Sequence, residues 1–161
     1  MMSEKKMSVL EHIAELRKRL IIVVVFFFVA MITGFFIAKP IIVFLQQTDE
    51  AKQFALNAFR PADPLIVYMQ ITFIIALILT FPVLLYQLWA FISPGLYEKE
   101  RRVTLSYIPL SVALFLLGIS FSYFILFPFV IDFMGRLSND LNIQQMIGIN
   151  EYFRFLLQLT L

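Results

Sequence analysis

Between residues 65 and 97 the chain carries no charged side chain over 33 consecutive positions. A water-facing helix or strand needs a polar face, so a soluble domain has little use for such a stretch. A bilayer does, because about 20 apolar residues of helix cross a hydrocarbon core of roughly 30 Å. Since 33 residues exceed one crossing, part of the run must lie at the interface or turn there. Residues 20–38 are also uncharged, and so are 103–131, where Pro109 and Pro128 sit near the two ends. These patterns predict an all-α, polytopic transmembrane helix bundle with spans at 20–38, 65–86 and 107–130. A fourth apolar run, 151–161, covers only half a bilayer. A half-span leaves backbone groups without partners in lipid, so it is read as the start of a fourth span in a truncated sequence.

Composition agrees with a lipid solvent. Of 161 residues, 61% are hydrophobic and 15% charged, against roughly 25% charged in soluble domains. The 19 Phe residues are too many rings for a water-soluble core of this length to hide. Cysteine is absent, which excludes disulfides and thiolate metal sites. A net charge of +2, with no basic stretch interleaved with aromatics, argues against nucleic-acid binding. Lys5 and Lys6 precede an apolar run as in a secretory signal, but residues 7–19 intervene and no small-residue cleavage pattern follows. The first span is expected to be retained.

Orientation follows from basic residues in the connections. The tail, 1–19, holds Lys5, Lys6, Arg17, Lys18 and Arg19, and the loop 87–106 adds Lys99, Arg101 and Arg102. Both are expected in the cytoplasm. The segments 39–64 and 131–150, with thinly spread Lys39, Lys52, Arg60 and Arg136, are expected outside as loops. The first of these should hold a short interfacial helix and then a rigid corner at Arg60-Pro61-Ala62-Asp63-Pro64.

Two segments can carry chemistry. In the tail, Ser8 followed by Glu11 reads as a capping box that starts a helix running into the membrane. Leu10, Ile13, Leu16 and Leu20 mark its apolar face, with Glu11, Glu15 and Lys18 or Arg19 opposite. The plain alternative is that Glu15 and Arg19 form an i,i+4 pair worth a few tenths of a kcal/mol. In the loop, Ser93 as N-cap and Pro94 at the first helical position should start a short helix, bringing Glu100 to the cytoplasmic mouth. Here the plain alternative is a solvated basic anchor.

Weaker features read as architecture. Pro82 should kink the second span, and Gly118-Ile119-Ser120-Phe121-Ser122 offers a small-residue patch for helix packing. Asp132 with Arg136, and Glu151 with Arg154 after an Asn150 cap, read as interfacial pairs. His12 is the sole histidine and has no second ligand at metal spacing. No nucleophile–base pair or phosphate loop is present, so catalysis is not indicated and no cofactor is expected.

His12-Ile13-Ala14-Glu15-Leu16-Arg17-Lys18-Arg19 resembles the tail motif of the TatC family, and Phe91, Pro94, Leu96 and Glu100-Arg101-Arg102 resemble its first cytoplasmic loop. Tyr86-Gln87-Leu88-Trp89-Ala90-Phe91, Asp63-Pro64 and Phe127-Pro128 extend the likeness over essentially the whole chain. The resemblance implies a six-span bundle that binds the paired arginines of signal peptides on folded cargo at the cytoplasmic face of the cell membrane. It further implies a complex with small single-span subunits of the TatA/TatB type, in membrane lipid, with several copies of the chain. Glu15 and Glu100 would receive the arginines, with His12, Leu16, Arg17, Phe91, Pro94, Leu96 and Arg101 around them. A guanidinium offers a rigid fork that a carboxylate accepts at two points, which lysine cannot match. The competing class is a fragment of a small-solute transporter or channel, which usually carries an ionisable or unwound site at mid-bilayer.

Overall fold

The computed structural model describes residues 9–48, 56–141 and 147–160. Nearly all of them are helical, and among them the one β feature is an isolated bridge between Asn57 and Gly148. Helix α1 is Val9–Gln46, α2 Asp63–Ile92, α3 Glu98–Phe121, α4 Phe127–Asp140 and α5 Ile149–Thr160. A 3-10 turn, Ser93–Gly95, follows α2, and a π turn, Ser122–Leu126, joins α3 to α4. Three helical runs, Leu10–Gln46, Asp63–Gly95 and Glu98–Asp140, are long and apolar enough to cross a membrane. Side chains such as Phe36, Phe124 and Phe129 are more than 70% exposed, which suits a face turned to lipid.

Several boundaries differ from the expected ones. The tail and the first apolar run form one helix, and residues 39–46 continue it instead of forming a separate interfacial helix. No glycine or asparagine stop follows Ala38, and Pro40 is absorbed inside the helix, as membrane helices allow. The segment expected as a loop from 131 is helical as far as Asp140. Ser8, the proposed cap, lies outside the described residues. The π turn has a local cause in Pro128, which has no N–H and crowds the carbonyl four residues before it; the Phe127 N–H bonds to the Ser122 carbonyl instead.

Close packing of α1 on α2 rests on small residues. Ala30, Gly34 and Ala38 recur every four positions and are buried. A Cβ on Gly34 would sit 3.0 Å from the Thr72 carbonyl oxygen. By contrast, a Cβ on Gly118 would meet nothing within 4 Å. The packing patch expected at 118–122 is therefore not made by its glycine; only Ser122 is buried there, donating to the Leu159 carbonyl at 2.7 Å.

The dense core lies at one end of the bundle, where Ala38, Val67, Ile71, Phe127, Phe153 and Leu156 pack together. Residues 56–62, ahead of α2, pack at this end. Asp63, 2% exposed, accepts a bond from the Arg60 N–H at 2.9 Å, and the Ile149 N–H bonds to the Asn57 carbonyl at 2.9 Å. Asn150 lies inside α5 and its Oδ1 is buried without a partner, so it is not the cap. Neither Asp132–Arg136 nor Glu151–Arg154 forms an ion pair. From Ala38 back to Glu15 is 23 residues of helix, about 35 Å. The tail motif thus lies at the end opposite the core.

Candidate functional site

At that opposite end, α1 meets the C-terminal part of α2 and the turn after it. The His12 imidazole stacks on the Phe91 ring, centroids 4.2 Å apart and planes 25° from parallel. One turn on, the Glu15 Oε1 accepts from Arg19 Nε at 3.0 Å and also from Arg19 Nη2. Arg19 Nη1 reaches across to the Gln87 Oε1 of α2 at 3.4 Å. Glu15 Oε2 is buried and has no donor. The pair is mostly shielded, with 24% of the Arg19 side chain and 19% of Glu15 exposed.

These residues line a groove of about 850 Å³, with Glu15, Lys18 and Arg19 on one wall and Gln87, Trp89, Ser93, Pro94 and Arg101 on the other. Its charges are three cations and one carboxylate. Two of the cations are engaged: Arg19 as described, and Arg101, whose guanidinium carbon lies 5.7 Å from the centre of the Trp89 ring. A smaller cavity of about 130 Å³ adjoins, lined by Leu16, Leu20, Leu84 and Phe91 among others.

The loop differs from the expected geometry. Ser93 is not an N-cap; its hydroxyl donates back to the Ala90 carbonyl at 3.3 Å, and it closes α2 as the first residue of the 3-10 turn. Helix α3 starts at Glu98, and the Glu100 carboxylate accepts the Tyr97 N–H at 3.2 Å. A carboxylate on this free N–H satisfies a donor that the helix leaves unpaired and suits the positive end of the helix dipole.

A family model described as Sec-independent protein translocase protein (TatC) matches residues 11–161. The chain belongs to the TatC family. It is 71% identical over 160 residues to the Sec-independent protein translocase protein TatCy of Bacillus subtilis (strain 168), covering 99% of this chain and 63% of that protein. It is 56% identical to the TatC of Halalkalibacterium halodurans, over 99% of this chain and 63% of that one. A crystal structure described as the twin arginine translocase receptor TatC superposes with a TM-score of 0.81 at 33% identity, covering 93% of this chain and 67% of the other. The chain thus spans somewhat under two thirds of the length of these sequence relatives. TatC membership makes it a component of a protein-translocase family and a multi-pass membrane protein, and displaces the solute-transporter alternative.

Against the residues singled out from sequence, Glu15, Pro94 and Arg101 line one groove, and Leu16 and Phe91 share the cavity beside it. His12 is held on Phe91. Arg17 lies on another face of α1, with Leu10, Ile13 and Ile21. Glu100 is exposed and outside the groove lining, one residue from Arg101, and Leu96 is half-buried at the end of the 3-10 turn. Arg19 pairs with Glu15, the i,i+4 pair that the four-residue spacing offered as the plain alternative. Sequence reasoning gave no role to Gln87. The readable signal was spacing, since Gln87 lies four residues before Phe91 and so shares its helical face.

Proposed function

We propose that this chain is the signal-peptide receptor part of a twin-arginine translocase, and that the groove between α1 and the end of α2 receives the paired arginines of folded cargo. The observation that carries the reading is the Glu15 carboxylate, set in the groove wall with one oxygen buried and without a donor. An unpaired buried acceptor gains most from a charged donor, and a guanidinium supplies two in a fixed plane. The exposed Glu100 carboxylate, beside the groove residue Arg101, takes the second arginine. His12, Leu16, Phe91, Pro94 and Leu96 form the apolar and aromatic surroundings, Arg101 lines the groove beside Glu100, and Arg17, on another face of α1, anchors the tail. The tail and the loop face the cytoplasm of the cell membrane, a reading that their basic residues support. The apolar stretch of the signal peptide then runs along the bundle. Small single-span subunits and further copies of the chain complete the complex.

Photo-crosslinking tests this reading. A probe at Ala14, Ala90 or Pro94 should capture a twin-arginine peptide, while probes at Leu110 and Leu114 in α3 should not. Equal capture at all five positions would refute the assignment.

A further inference from the structure

We propose that Arg19 is a resident competitor for the Glu15 carboxylate, and that Gln87 is the site onto which it is displaced when an external guanidinium binds. This rests on the reading of Glu15 as the arginine acceptor. Arg19 directs two of its donors at a single oxygen, Oε1, and spends a third on Gln87 at the long limit of a hydrogen bond. A carboxylate and a guanidinium that faced each other fork to fork would use both oxygens. Here the second, Oε2, is left buried and without a donor, so the resident pair satisfies only half of the acceptor.

The exchange has a ready path. Arg19 and Gln87 come from different helices and face the same groove as Glu15. With about a quarter of its side chain exposed, Arg19 can turn toward Gln87 without any helix moving. An incoming guanidinium takes over the fork on Glu15 as Arg19 closes on the Gln87 amide oxygen. Charge is conserved at each step, since one guanidinium replaces another on the carboxylate. A lysine ammonium has no fork to replace the one it must displace, so the resident arginine raises the selectivity of the groove for arginine.

The test is a double-mutant cycle on the full chain in lipid nanodiscs, measuring the affinity of a synthetic peptide with two adjacent arginines and an apolar stretch. Arg19→Gln should tighten binding about threefold to tenfold, the range expected when a partly shielded ion pair no longer competes. Lys18→Gln, which removes an equal charge from the same groove wall, should tighten it less. Gln87→Leu should weaken binding in the native background and have no effect beside Arg19→Gln, because the displaced group is gone. Arg19→Lys, which keeps the charge and loses the fork, should tighten binding less than Arg19→Gln and reads the same exchange if that variant does not fold. Unchanged or weaker binding in both Arg19 variants, an equal gain from Lys18→Gln, or additive effects of Gln87→Leu would overturn the proposal. If Glu15→Gln leaves native binding intact, the receptor reading itself fails. If Glu15→Gln abolishes binding but neither Arg19 variant tightens it, only the competitor role fails.

Discussion

The His12 imidazole lies flat against the Phe91 ring, centroids 4.2 Å apart, although a full out-and-back passage of the chain separates the two residues. This contact fixes the tail helix to the end of α2 and so holds Glu15 over the groove. Stacked rings are worth about 0.5–1.5 kcal/mol beyond their area. His12→Ala and Phe91→Ala should each loosen the tail, and the double variant should cost less than the sum of the two. Hydrogen exchange of the backbone amides over residues 12–19 reads this directly.

Gly34 and Gly118 look alike in sequence, yet only Gly34 is pressed against a neighbour. Gly34→Leu should force α1 away from the Thr72 carbonyl and cost on the order of 2 kcal/mol or more. Gly118→Leu should change stability by no more than about 0.5 kcal/mol. Unfolding in mixed detergent micelles separates the two.

Ser122 ties the π turn to α5 through the Leu159 carbonyl, whereas the exposed Ser120 bonds only within its own helix, to Leu116. Ser122→Ala should destabilise by about 0.5–1.5 kcal/mol, the usual range for a hydrogen bond between membrane helices. Ser120→Ala should be near neutral in the same assay.

The spans were legible in the sequence because the bilayer permits few charges over 20 residues, and a charge-free run is a direct record of that constraint. Their ends were less so. The uncharged run stops at Lys39, but a helix surrounded by lipid has no water to satisfy freed carbonyls, and it continues through Pro40 to Gln46. The Glu15–Arg19 pair was readable from its four-residue spacing. The bond from Arg19 to Gln87 was not, because periodicity along one helix says nothing about which residue of another helix lies opposite. The same gap explains the small-residue patches: Ala30-Gly34-Ala38 and Gly118-Ser122 carry equivalent patterns, and only the position of α2 decides which is used.

Trp89 is the sole tryptophan of the chain and lines the groove, so its fluorescence reports on a ligand there without a label. The most direct test of the account is a titration of the chain in nanodiscs with a tryptophan-free twin-arginine peptide, comparing the native protein with Glu15→Gln. Removing one partner of a shielded charge pair typically costs 2 kcal/mol or more, so the variant should bind about 30-fold more weakly or worse. A peptide that shifts Trp89 emission with the same affinity, within about twofold, in both proteins would contradict the account.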